Sequence, residues 1–347
     1  LAFLIKTTIV GDSLNFYQPL RKGVAVKKYS CFLLLVLFYL GCGSLSTSSF
    51  SSTTGSLPTG YPDPGLPLDE KQISARAIEL LAWVKTAEKA YFIKPEVGIV
   101  FWAGTDPGVR QDFKEQLRDR RGEIDLVFTL VEDVIASHAY TTAVYAFYEK
   151  DDPGGAFANT FEAKRDFSYR NTPSKFAEFF FQAEKVFSYS YKNPAVDKKK
   201  FADFAEAFAF THALKTGGWG AFPGTVRKYM DTNQISATYY LDWDKESIGA
   251  MSKIHSARFK GEPELFLGLV SSQQQSLIVE DSATDANWGR GGDKQGKNKL
   301  GLLYMIHRRR FLTDFNNDKK VLFDKENTDH IEYMLRWINK YDGESKK

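Results

Sequence analysis

The stretch LIVEDSATDANWGRGGDKQGKNKLGLLYMIHRRR, residues 277–310, changes its period twice. It opens on the apolar run Leu277–Glu280, which predicts a short strand. A loop follows, punctuated by Gly289, Gly291, Gly292 and Gly296. Leu300, Leu303, Tyr304, His307 and Phe311 then recur at helical spacing and predict a helix. Glycines ahead of a helix let backbone N–H groups approach a phosphate closely, or simply make a turn. Trp288, set among small residues, reads as an exposed indole on which a base can stack.

Two helices are predicted upstream. In FAEFFFQAEK, residues 176–185, Glu178, Gln182 and Lys185 stand at i, i+4 and i+7 and share one stripe. Phe179, Phe180, Phe181 and Val186 cover the other faces, the pattern of a buried helix. The polar stripe then lines a cavity and finds partners there, or it is the solvent face of an amphipathic helix. In DWDKESIGAMSKIHSARF, residues 242–259, Ile248, Met251, His255 and Phe259 align. Trp243 precedes this helix and Asp244 is the expected cap. His255 reads as a catalytic group or as a satisfied core histidine.

The front of the chain reads as a targeting segment. Arg21-Lys22 and Lys27-Lys28 precede CFLLLVLFYL, residues 31–40, a basic region followed by a short apolar one. That run is too short for a membrane-spanning helix. It ends Tyr39-Leu40-Gly41-Cys42, similar to a bacterial lipobox with Tyr39 where Leu is usual. Residues 1–41 are therefore expected to be a signal segment and Cys42 a lipid-modified residue. The apolar run has no Met before it, so a start at Val24 or Val26, with the earlier residues an upstream translation artefact, stays open. The expected location is an extracytoplasmic, membrane-anchored lipoprotein, or the cytoplasm if the segment results from a misplaced start. The first 41 residues hold five of the 46 basic and one of the 43 acidic side chains, so residues 42–347 carry a net charge of −1. That balance excludes strong non-specific nucleic-acid binding, which needs a basic excess.

Residues 42–65 are rich in Ser, Thr, Gly and Pro and read as a linker. Ile73, Ala77, Leu80, Leu81 and Val84 predict a helix within 69–90, residues 99–102 a strand-like run, Asp106-Pro107-Gly108 a turn, and 109–121 a charged helix. Residues 66–139 are thus a helical extension, and 316–347 a final helix near 330–340 with a charged tail. Cys31 and Cys42 are the two cysteines, so no thiolate metal site exists further along. His138, His212, His255, His307 and His330 show no ligand spacing, and neither metal nor cofactor is expected.

The segments, in this order, resemble the NADAR family of YbiA-like N-glycosidases. Its Glu-x-x-x-Gln-x-x-Lys helix is matched by Glu178, Gln182 and Lys185, and its Trp-then-helix segment by Trp243, Met251, Arg258 and Phe259. Its long C-terminal signature is matched by Ile278, Val279, Glu280, Ser282, Asp285, Trp288, Gly289 and Gly291, then by Gly296, Asn298, Leu300, Gly301, Met305 and Arg308. Phe157-Ala158-Asn159-Thr160-Phe161 fits the N-terminal motif, with Thr160 in place of Phe. The resemblance covers residues 140–315 and implies a mainly α fold: a YbiA-like helical domain, α+β in having few short strands, here with an N-terminal helical extension. It implies hydrolysis of a ribose–base N-glycosidic bond in a phosphorylated ribosyl or ADP-ribosyl substrate, such as riboflavin-pathway intermediates or ADP-ribosylated guanine. Glu178, Lys185 and Asp285 are the implied catalytic residues. Asn159, Gln182, Trp243, Glu280, Trp288, Gly289, Gly291 and Asn298 are the implied substrate-binding residues. Lys185 acts either as a phosphate-binding cation or as a neutral nucleophile. The competing reading is a non-catalytic lipoprotein that binds ADP-ribose or a nucleotide.

Overall fold

The computed structural model describes residues 67–87, 91–92, 107–136, 144–148, 154–192, 201–232, 243–272 and 276–343. The signal segment, Cys42, the 42–65 linker, the strand-like run 99–102 and His138 lie outside the described residues. The described elements belong to one unit, Leu57–Lys347. As expected, the fold is mainly α with a few short strands.

Helix α1, Glu70–Thr86, begins in a capping box. The Asp69 carboxylate accepts from the Gln72 N–H at 2.8 Å, and the Gln72 side chain accepts from the Asp69 N–H at 2.9 Å. Its buried face, Ile73, Ala77 and Leu80, packs on the last helix, α10, Thr328–Lys340. Helix α2, Pro107–Gln116, starts where a turn was expected. Proline has no N–H to lose at the first helical position, so Pro107 opens the helix rather than bending the chain away from it. Helix α3, Arg121–Ala136, buries Ile124, Val127, Phe128 and Val131 and packs against α9, Lys299–Lys319.

Strand β1, Val144–Phe147, pairs in parallel with β4, Leu277–Glu280, with Phe147 opposite Glu280. Strands β2, Phe167–Tyr169, and β3, Thr172–Ser174, form a hairpin whose turn residues Arg170 and Asn171 have φ of 50° and 60°. Two left-handed residues suit the twist of a hairpin, though Arg is an unusual choice. Here the Arg170 guanidinium donates to the buried Glu184 carboxylate at 2.5 Å, which offsets the local strain.

Helix α4, Ala177–Lys192, is central. It packs against α5, Phe204–Ala213, and α7, Ser247–Gly261, while Phe179 also meets Phe222 of α6, Phe222–Thr232. Asp244 is not the cap of α7. The Gln116 side chain of α2 accepts from the Ile248 and Gly249 N–H groups and donates to the Asp244 carbonyl. The extension therefore supplies the cap across the fold. Helix α8, Pro263–Val270, is wholly buried.

Helix α9 crosses β4 at Gly301, where a Cβ would collide with the Ile278 carbonyl and the Asn298 side chain. Gly301→Ala is expected to destabilise the protein by about 1–3 kcal/mol, measured as a lower denaturation midpoint. Gly249→Ala is the control: its methyl would meet only the Gln116 carbonyl at 3.8 Å, so the roughly 0.5–1 kcal/mol helix preference of Ala over Gly favours the variant.

Candidate functional site

The polar stripe of α4 is internal and partnered. The Gln182 amide donates to the Glu178 carboxylate at 2.6 Å and accepts from Lys185 Nζ at 3.0 Å. One neutral amide thus joins an acid to a base, and all three side chains are held by a single helix. Phe181, on the same helix, lies 5.0 Å from Lys185 Nζ. Trp243 and Trp288 flank Phe181, at 5.1 Å and 5.2 Å between ring centroids. Trp288 is not the exposed indole expected: it is 8% exposed because its ring packs edge-on against Phe181. It forms a wall.

Burial moves the two ionisable ends toward each other. It pushes the Glu178 carboxyl up, Lys185 and Gln182 hold it back, and Asp285 adds to the push. It pulls the Lys185 ammonium down, against the attraction of Glu178, with Arg227 of α6 adding repulsion. Burial thus works against both charges, and each group offsets part of that cost for the other.

The loop after β4 brings two further carboxyl groups. One oxygen of Asp285 accepts from the Asn287 and Trp288 N–H groups at 2.8 Å and 2.9 Å, which fixes the turn that carries Trp288. Glu280, the last residue of β4, has one carboxylate oxygen sealed from water without a hydrogen bond. Burial, then Asp285 and Glu178, push its carboxyl up to about 8.

Gly289, Gly291 and Gly296 direct their N–H groups into the loop itself rather than toward a phosphate. The N–H groups of Gly289, Arg290, Gly291, Gly296 and Asn298 all bond to carbonyls of the loop itself or of Glu280. Gly289 sits too close to the Glu280 and Asp285 carbonyls for a Cβ, and Gly291 has a φ of 68°. Asn298 is also structural. Fully buried, it accepts from the Glu280 N–H and donates to the Ile278 carbonyl, both at 2.9 Å.

On the other side of Glu178 the Asn159 side chain favours its carboxylate form, while the Asn159 carbonyl accepts the Glu178 N–H. Asn159 Oδ1 lies 2.9 Å from His255 Nε2. That oxygen only accepts, so Nε2 carries the proton. Burial and then Arg258 push His255 well below its usual range, which keeps it neutral. Tyr304 donates to the Phe157 carbonyl at 2.7 Å and stands 3.1 Å from His255 Nδ1. His255 therefore orients Asn159 from behind.

The comparisons with known proteins converge on this stretch. Residues 146–312 match the NADAR domain. Over 168 residues, 48% of this chain and 88% of the relative, the chain is 27% identical to the N-glycosidase YbiA of Shigella flexneri. It is 26% identical to the N-glycosidase YbiA of Escherichia coli K12 over the same shares. The NMR structure of the E. coli protein YbiA, 21% identical, covers 49% of this chain and 86% of its own, with a TM-score of 0.32.

The stretch that matches the NADAR domain gathers Glu178, Gln182, Lys185, Glu280, Asp285, Trp243, Trp288 and Asn159 into one neighbourhood. Arg227 carried no signal in the sequence, because nothing in its local pattern sets it apart from a solvent-facing helix residue. Tyr304 was legible as a helix residue and not as the partner of His255. Among the described residues, no group of three or more His, Cys, Asp and Glu is placed to hold a metal ion.

Glu280 gives a stability test. Its carboxyl keeps a proton in the folded state up to about pH 8, whereas an unfolded Glu loses it near about 4.3. Native stability therefore falls as pH rises between those values. Glu280→Gln is expected to match the parent protein below about pH 4 and to exceed it by up to about 5 kcal/mol above pH 8. Thermal melts across pH measure the difference.

Proposed function

We propose that the chain is an N-glycosidase that hydrolyses a ribose–base bond in a phosphorylated ribosyl or ADP-ribosyl substrate. The observation that carries this reading is the continuous Glu178–Gln182–Lys185 chain, with distances of 2.6 Å and 3.0 Å, its first two members buried and Lys185 half-buried, near Asp285 and Glu280. The match to the NADAR domain and the relatives named N-glycosidase support it.

Breaking an N-glycosidic bond builds positive charge at the ribose C1, and carboxylates beside that carbon lower the barrier. Glu178 and Asp285 serve that role. The neutral Lys185 amine attacks C1, and Glu178 takes the proton that the new C–N bond releases. Ring opening of the ribose gives a Schiff base, which water then hydrolyses. Gln182 and Asn159 hold Glu178 in place between them. Trp243, Phe181 and Trp288 wall the site and keep water from it. Arg227 adds positive charge near Lys185, which suits a substrate bearing phosphate.

The same proposal keeps the protein as an extracytoplasmic lipoprotein anchored through Cys42. Mass spectrometry of the mature N-terminus in membrane fractions, showing diacylglyceryl-Cys42, supports that part. An unmodified upstream sequence refutes it.

Lys185→Ala and Glu178→Gln are expected to lower kcat at least ~1,000-fold on ribosylated pyrimidine phosphates or ADP-ribosylated guanine, with folding intact. Borohydride added during turnover should fix a sugar adduct on Lys185. Turnover without an adduct assigns Lys185 to phosphate binding, and a thermal shift without turnover makes the protein a binder.

A further inference from the structure

Glu280 stands apart from the other carboxyl groups of the site. Its backbone is fixed on both sides: the N–H donates to Asn298 Oδ1 and the carbonyl accepts from the Arg290 N–H, each at 2.9 Å. Pairing with β1 sets it opposite Phe147. The side chain thus leaves a rigid platform, and its Oε2 ends in a water-free position with no hydrogen bond. Polar atoms held this way are rare in folded proteins and call for a reason. The groups facing Glu280 are Asp285 from the loop, Glu178 from α4 and Tyr304 from α9. Among the described residues these carboxyl groups form no cation cage.

Glu178 has the opposite surroundings. Gln182 donates to it, and Lys185 attracts it. Burial pushes both carboxyl groups up, but the support for the anion is split: Glu178 has a donor and a cation beside it, while Glu280 Oε2 has no hydrogen bond. Such a split assigns acid and base roles.

We infer that Glu280 is the general acid that protonates the departing base nitrogen. The inference rests on the N-glycosidase reading. As the C1–N bond breaks, its electron pair goes to the base nitrogen, which takes the Glu280 proton. Lys185 nitrogen bonds to C1 and passes a proton to Glu178. When water later releases the sugar, its oxygen bonds to C1 and one of its protons returns to Glu280. The Glu178 proton goes back to Lys185, so both groups are restored. The rise of the Glu280 carboxyl to about 8 keeps the acid loaded at neutral pH.

The test compares two leaving groups. Nicotinamide ribotide carries a cationic pyridinium nitrogen, which departs as a neutral base without a proton. An aminopyrimidine ribotide leaves an amide-like nitrogen that needs one. Glu280→Gln should lower kcat on the aminopyrimidine ribotide by about 100- to 10,000-fold, and the loss on nicotinamide ribotide should be at least ~30-fold smaller. For the parent protein, kcat on the aminopyrimidine ribotide should fall as pH rises through about 8, with no such limb on nicotinamide ribotide. Equal losses on both substrates, in a variant whose melt shows it folded, overturn the acid role and leave the glycosidase reading standing. A parent protein that cleaves neither ribotide, nor ADP-ribosylated guanine, overturns the glycosidase reading and this inference with it.

Discussion

A single side-chain amide organises the site. Asn298 accepts from the Glu280 N–H and donates to the Ile278 carbonyl, as a neighbouring strand would. It thereby completes one edge of the two-stranded β1–β4 pair with a side chain. Its own backbone is left-handed, with a φ of 46°, so the chain can turn from the loop into α9 at that residue. The Asn298 carbonyl then accepts the Leu302 N–H in the first turn of the helix. The direction of Glu280, the closure of the loop and the start of α9 all depend on this residue. Replacing it would leave two strand groups buried without partners, at about 1–3 kcal/mol each.

The second constraint is the loss of water around charge. Removing water disfavours a carboxylate and an ammonium alike, so the two groups on α4 change in opposite directions on the pH scale and approach each other. Gln182 makes that tolerable. Its amide offers one donor and one acceptor, and each reaches a different neighbour. A leucine there would pack as well but would leave both ends unsatisfied. A glutamate would add a third anion beside Glu178. The aromatic residues on the remaining faces of α4 keep the stripe dry.

Much of this was legible in the sequence. The i, i+4, i+7 spacing placed Glu178, Gln182 and Lys185 on one stripe, because helical geometry fixes that relation without reference to anything else. The strand at Leu277–Glu280 and the helix after Asn298 were legible for the same reason. Contacts between distant segments were not. The glycines looked suited to a phosphate, yet the loop N–H groups bond within the loop, and only the closed shape reveals that. Asp244 looked like a cap, but Gln116, more than a hundred residues earlier, occupies the role. His255 could be read two ways until Asn159 was found beside it.

The Gln116 contact bears on where the folding unit begins. The stretch similar to known proteins starts at residue 146, but the first turn of α7 draws its cap from α2. Lys299, 2% exposed in the side chain, faces Asp112 of α2, and α9 rests on α3. Likeness to other proteins and physical self-sufficiency therefore divide the chain at different places. A fragment cut at the edge of the likeness would keep every residue of the chemistry and lose the scaffold that orients part of it. Residues 107–136 serve this domain as an internal brace, so their sequence is free to vary between relatives only as far as some other segment can take over the support.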